Sequence, residues 1–187
     1  AKNTEGAVIN GEVAYIILED GKRLKSEVID VKEGGVVFLQ VFEDTGWMRI
    51  GDLVEFTGLP LAVKLGPGIL GSVTDGLQNP LYELAKIEWF LERGLEVSPL
   101  DNTKKWHFTP TVQKNDIVTG SSVLGHVPEK LFQHKIFVPF SIQGEYTIES
   151  IVPEGDYTID ETIAVIKDNA GNKQELQMAF DWPVKKP

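Results

Sequence analysis

The chain has 187 residues, 42% of them hydrophobic, which suits one domain or two small ones with ordinary packed cores and excludes the disordered class. With 28 acidic against 18 basic residues the formal net charge is −10 and the pI is near 4.8, which argues against a nucleic-acid partner, because holding phosphates needs a basic face. The lack of cysteine excludes disulfides, thiolate catalysis and cysteine-ligated zinc, and fits a reducing compartment.

The first elements in chain order are strands. Apolar runs at Val13 to Leu18, Leu24 to Val31 and Val36 to Phe42 are separated by Asp20-Gly21 and Glu33-Gly34-Gly35, which are hairpin turn signals, so an antiparallel meander is predicted. Val54-Glu55-Phe56 and Leu61-Ala62-Val63 add strand-like pieces punctuated by Gly51-Asp52 and Gly58-Leu59-Pro60, and together these predict a small β-barrel over residues 1–64. None of the apolar runs approaches the length of a membrane span and no signal-peptide pattern opens the chain, so a cytoplasmic protein without direct membrane insertion is expected.

The densest signal follows at residues 65–81. Gly66, Gly68, Gly71 and Gly76 permit positive φ or close backbone approach, whereas Pro67 and Pro80 fix φ and remove donors, so no regular element runs through Leu65-Gly66-Pro67-Gly68-Ile69-Leu70 or Asp75-Gly76-Leu77-Gln78-Asn79-Pro80-Leu81. One helix is predicted near 79–93: Asn79 can cap it, Pro80 suits its first turn, and Leu81, Leu84, Ala85, Glu88, Trp89 and Leu91 trace an apolar face that Gly94 ends. Trp89 is read as a packing residue of that face. Residues 65–94 therefore form a connector with a helix.

Short strands resume over 95–187, at His107 to Thr109, Ile117 to Val118, Val123 to Val127, His134 to Pro139, Glu145 to Ile151, Thr162 to Lys167 and Gln174 to Phe180. Turns are read at Gln143-Gly144, Glu154-Gly155-Asp156 and Asp168-Asn169-Ala170-Gly171-Asn172, and the even spacing indicates a second β unit, a sandwich or barrel. The fold class is mainly β.

The order LGPGILGSVTDGLQNPL closely resembles the LGPGLL…DGIQRPL signature of the catalytic A subunit of vacuolar-type and archaeal-type rotary ATPases, with Asn79 standing where that family usually carries arginine. The resemblance extends to Gln40-Val41-Phe42-Glu43-Asp44-Thr45, Phe56-Thr57-Gly58, Trp106-His107-Phe108-Thr109-Pro110, Val138-Pro139 and Trp182-Pro183-Val184, and so covers nearly the whole chain. It implies an N-terminal β-barrel that joins neighbouring subunits into a ring, here short of its first strand and leaving an exposed edge, followed by the bulge domain with a barrel-sandwich fold. It also implies partners, the B subunit and the peripheral stator stalk, and a parent subunit that uses Mg-ATP to couple hydrolysis or synthesis to proton or sodium transport. In that family the Trp-Pro-Val segment leads into the nucleotide-binding domain. This sequence stops at Lys185-Lys186-Pro187, so a non-catalytic part of the subunit, peripheral to the membrane and without a cofactor of its own, is expected.

The residues themselves agree on the lack of chemistry. Gly120-Ser121-Ser122-Val123-Leu124-Gly125 has phosphate-loop glycine spacing but continues His126-Val127, and without the motif's lysine nothing reaches the β- and γ-phosphates, so a turn between two strands is the better reading. His107, His126 and His134 lack metal-binding spacing, and the carboxylates Glu43-Asp44, Glu154, Asp156 and Asp160-Glu161 sit at predicted turns, where such residues bond backbone. Ser121 and Ser122 have no nucleophile-elbow context. Barrel-sandwich folds also resemble biotinyl and lipoyl carriers, which need a lysine at a hairpin tip, and Lys130 in Glu129-Lys130-Leu131 lacks the carrier flanks. A free-standing β-rich binding or carrier-like module is the alternative. No catalytic, cofactor or metal residue is nominated; the residues singled out are those of the connector, Gly66, Pro67, Gly68, Asp75, Gly76, Gln78 and Pro80.

Overall fold

The computed structural model describes residues 7–87 and 97–185. The chain divides into two compact units, one from the described residues of Ala1–Val63, Leu81–Val97 and Trp182–Pro187, the other from Lys64–Pro80 and Ser98–Asp181. The segment read as a connector is therefore shared out: its glycine and proline part lies in the second unit and its helical part in the first.

In the first unit, β1 (Glu12–Ile17), β2 (Arg23–Lys32), β3 (Val36–Val41) and β4 (Leu53–Pro60) form one antiparallel sheet in the order β3-β2-β1-β4. The predicted meander is its first three strands, and β4 adds itself to β1. Strand alternation puts Ala14 and Ile16 on the same face as their cross-strand partners Ser26, Leu24, Phe56 and Val54. The core on that face is small, with Ile16, Leu18 and Leu24 buried and Leu39, Val41 and Val54 packed against them. Gly58-Leu59-Pro60, read as punctuation between strands, instead belongs to β4. The register jumps there, from Ala14 opposite Phe56 to Glu12 opposite Pro60, and Gly58 adopts a positive φ of 68°. Buried Glu12 makes that bulge tolerable by accepting the Gly58 amide at 2.6 Å and the Ile9 amide at 2.7 Å, while Thr57 Oγ1 donates to the Val13 carbonyl.

The described part of the helix is α1 (Leu81–Ile87), whose Leu84 is buried and whose Lys86 pairs with Glu83 one turn back. Trp89 and the remainder of the helix predicted to 93 lie outside the described residues. Asn79, read as the cap, directs its side-chain amide to Asp75.

The second unit has two antiparallel four-stranded sheets. One contains β7 (Ile117–Val118), β10 (Tyr146–Ile151), β12 (Ala164–Lys167) and β13 (Lys173–Leu176) in the order β13-β12-β10-β7. The other contains β6 (Trp106–Pro110), β8 (Val123–Glu129), β9 (Phe132–Phe137) and β11 (Gly155–Tyr157) in the order β11-β6-β8-β9. Both contribute to one continuous core that includes Phe108, Leu124, Val127 and Ile136 from the second sheet and Val118, Ile148, Ile166 and Leu176 from the first. This is the sandwich arrangement, two inner faces meeting over alternating apolar side chains.

Two sequence readings are corrected here. Glu154-Gly155-Asp156 is not wholly a turn, because Gly155, Asp156 and Tyr157 pair with Phe108, His107 and Trp106 as β11; its polar composition reflects a short edge strand. The single strand predicted from Gln174 to Phe180 is two, β13 and β14 (Phe180–Pro183), separated by Gln177, buried Met178 and buried Ala179. β14 pairs with β5 (Ala62–Leu65), and along these two strands the chain passes from one unit to the other.

Candidate functional site

The glycine and proline segment forms two successive loops of the second unit. In the first, Pro67 is fully buried, and a Cβ on Gly66 would lie 2.7 Å from Ala179 Cβ, so only glycine fits the approach of these backbones. Gly68 has a φ of +104° with the Trp106 ring beneath it, where a side chain would be strained whatever the space. Ser72 closes the turn, its amide and hydroxyl both donating to the Ile69 carbonyl, at 3.1 and 2.7 Å.

What anchors this loop is Glu129, at the end of β8 and 2% exposed. Its Oε1 accepts the Gly68 amide at 2.8 Å and the Leu70 amide at 3.2 Å, and its Oε2 lies 2.6 Å from His134 Nδ1 on β9. A carboxylate accepts only, so the ring nitrogen carries the hydrogen in this contact. Burying the acid is tolerable because three donors replace its water. Sequence reasoning missed Glu129, yet a signal existed: Gly125, Val127 and Glu129 alternate along β8, which puts an acid on the core-facing side.

In the second loop Asp75 Oδ1 accepts the Leu77 and Asn79 amides at 2.9 and 2.8 Å, and Asn79 Nδ2 donates to Asp75 Oδ2 at 2.9 Å. Gln78 sits at a φ of 67°, and its side-chain amide does the work of a strand residue: Oε1 accepts the Lys64 amide at 2.6 Å and Nε2 donates to the Lys64 carbonyl at 2.7 Å. Pro80 forms a bridge with Thr74. Gly76 alone among the singled-out residues has open space around it and an ordinary φ, so nothing in the structure explains its being glycine. The loop between β12 and β13 repeats the scheme. Asp168 Oδ1 accepts the Ala170 and Asn172 amides, Asn172 Nδ2 returns to Asp168 Oδ2, and these bonds, the Asn172 side chain first, hold the Asp168 carboxyl below its usual range.

The remaining chemical candidates resolve into structural roles. Gly120 lies in the turn between β7 and β8, whereas Gly125 lies inside β8, where an added Cβ would stand 2.5 Å from both Phe108 Cε2 and Thr109 O. Those glycines therefore serve chain crossing in place of a phosphate cradle, and Ser122 Oγ accepts the Thr119 amide. Asp44 and Glu161 each accept a backbone amide two or three residues away, as turn carboxylates do, whereas Glu43 accepts the amide of Lys25 on β2. Lys130 is at the tip of the β8–β9 hairpin with a φ of 55°, the place a carrier lysine would occupy, but its ammonium lies back over Gly71. The histidines sit on three strands as expected. His107, exposed on β6, has Nε2 3.0 Å from Glu154 Oε1 and Nδ1 2.8 Å from Asp156 Oδ1, and those hydrogen bonds, Glu154's first, raise its pKa above 6.5. Among the described residues no group of three or more His, Cys, Asp or Glu is arranged to hold a metal, and no helix is long and apolar enough to cross a membrane.

Residues 97–185 match the family described as the ATPsynthase alpha/beta subunit barrel-sandwich domain. Over 183 residues, 97% of its length, the chain is 52% identical to the V-type ATP synthase alpha chain of Treponema denticola and 49% identical to that of Borrelia hermsii, in each case covering 31% of the relative. It is 48% identical to the alpha chain of Borreliella burgdorferi over 98% of its own length and 32% of the relative. The chain thus spans about a third of the length of the curated relatives it matches. With the identity running through both units, the chain is similar over nearly its whole length to the alpha chains of V-type ATP synthases, and residues 97–185 carry the alpha/beta subunit barrel-sandwich domain.

Proposed function

We propose that this chain is a non-catalytic, N-terminal part of the A (alpha) subunit of a rotary ATPase, with assembly as its work. The first unit joins neighbouring subunits of the head, the B subunit among them, and the barrel-sandwich unit contacts the peripheral stator stalk. The parent complex couples ATP hydrolysis or synthesis to proton or sodium transport, with Mg-ATP held by other residues of the parent, and the chain works in the cytoplasm at the membrane periphery.

The observation that carries this reading is the outward display of apolar side chains by the first unit. Ile29, Phe38, Ile50, Leu53 and Leu59 are all about half exposed or more, on or beside a sheet that has two edges among the described residues. A surface of this kind suits burial against a partner better than permanent contact with water. The second unit fits a load-bearing role, since its core draws on both sheets and its loops are tied by side-chain carboxylates. The test is to mix the chain with its cognate B subunit and follow mass by light scattering, while titrating Mg-ATP into the chain alone by calorimetry. The expected results are a complex with the B subunit and nucleotide affinity no better than millimolar. Micromolar ATP binding by the chain alone, or failure to associate with the B subunit, contradicts the proposal.

A further inference from the structure

We propose that the Gly66–Gly71 loop is a strap latched by Glu129, which opens as one piece while the sandwich behind it stays folded. Two of the loop's amides, Gly68 and Leu70, rest on a single oxygen, Glu129 Oε1, so loss of that acceptor frees both together. Inside the loop the bond from the Ile69 amide to the Gly66 carbonyl is long, 3.4 Å, so it adds little to the two bonds that Glu129 accepts.

The two ends of the strap differ. At the first, Pro67 is buried and Gly66 abuts Ala179, which pins the backbone. At the other, Leu70 is 43% exposed, and the bonds that close the turn, from the Ser72 amide and hydroxyl to the Ile69 carbonyl, are local to the strap and can move with it. The latch is itself oriented. His134 holds Oε2, which leaves Oε1 aimed at the loop, and Lys130 at the hairpin tip folds its ammonium over Gly71. None of these groups belongs to the sheet of β10 and β12, so release leaves that sheet's hydrogen bonds intact.

Amide hydrogen exchange measured by NMR on this chain tests the latch. In the parent, Gly68 and Leu70 are expected to show the same protection within about threefold, and both to exchange faster than Ile148 and Ile163, whose amides donate to carbonyls at 2.9 and 2.8 Å in the sandwich. Glu129→Leu, which removes the acceptor, should speed Gly68 and Leu70 together by about tenfold or more and leave Ile148 and Ile163 unchanged. Unequal protection of the two loop amides in the parent, no change in the variant, or equal acceleration of Ile148 and Ile163 overturns the latch. Should Glu129→Leu fail to fold, His134→Asn, which removes the ring from Oε2, is expected to give a smaller matched increase at the same two amides. A change at only one of them, or at neither, overturns the proposal.

Discussion

The two units are both antiparallel β, and they differ in how much of their apolar surface they bury for themselves. The second encloses a continuous cluster of sixteen buried residues, from Leu100 to Ala179. Among the described residues of the first, the cluster on the sheet face is three residues, Ile16, Leu18 and Leu24, with Val13, Val28 and Val37 buried besides, while Phe38, Leu53 and Leu59 point into water. Each fully buried Val, Leu, Ile or Phe contributes about 1.5–3 kcal/mol, so the larger cluster gives the second unit more stability of its own than the described part of the first has. The first unit compensates locally with carboxylates: buried Glu12 satisfies the β4 bulge, and Glu27, 3% exposed on β2, receives Lys185 Nζ at 2.7 and 2.8 Å. Those contacts hold shape without adding apolar burial.

The largest effect that can break this comparison is Phe108→Ala. It should remove about 3–5 kcal/mol from the second unit, because Phe108 is fully buried and Gly125 is fitted against its ring. Denaturant unfolding should show the lost stability in the later of two transitions, and a loss shared equally by both would mean that the units do not differ as described.

Next come Gly66→Ala and Gly68→Ala, each expected to cost about 1–3 kcal/mol, the first through its clash with Ala179 and the second through its positive φ. Unchanged thermal stability in both would contradict the account of that loop. Smaller still is the contrast between two loops with one hydrogen-bond scheme. Asp75→Ala should cost about 1–2 kcal/mol and Asp168→Ala measurably less, because the Asp75 loop is partly buried and positions Gln78 against Lys64 whereas the Asp168 loop is exposed. Equal losses would mean that the link from Gln78 to Lys64 adds nothing.

The smallest effect is electrostatic. A neutral imidazole has one N–H, so only the His107 imidazolium can donate to both Glu154 and Asp156. Its folded pKa is raised, so the stabilisation is fully present below the unfolded value near 6.5 and is lost as pH rises through the folded pKa. An NMR titration should place the midpoint above 6.5, and Glu154→Gln should bring it down. A midpoint at or below 6.5 would contradict the clamp.

Much of the fold was legible in the sequence because period-2 alternation and glycine turns act locally. The meander of β1, β2 and β3 and most sandwich strands fall where their apolar runs are. What escaped depended on partners distant in sequence. β11 looks like a turn until β6 lies beside it, and β4 continues through Gly58 because Glu12, far earlier in the chain, receives the bulge amide. Glu129 escaped for the same reason, since a glutamate beside a lysine reads as surface until Gly68, Leu70 and His134 converge on it. The connector was visible as a signature, but the division of labour within it was not. Gly66 serves close approach, Gly68 conformation and Gln78 a mimicked strand pairing, and Gly76 has no such role.

The most direct measurement of the central claim is amide hydrogen exchange of the chain with and without its cognate B subunit. The expected result is new protection in the first unit, at β3, β4 and the exposed Ile50 to Leu59 stretch, with Ile148 and Ile163 of the second unit unchanged. Protection that appears only in the second unit, or nowhere, would contradict the view that the first unit is completed by a partner and the second by itself.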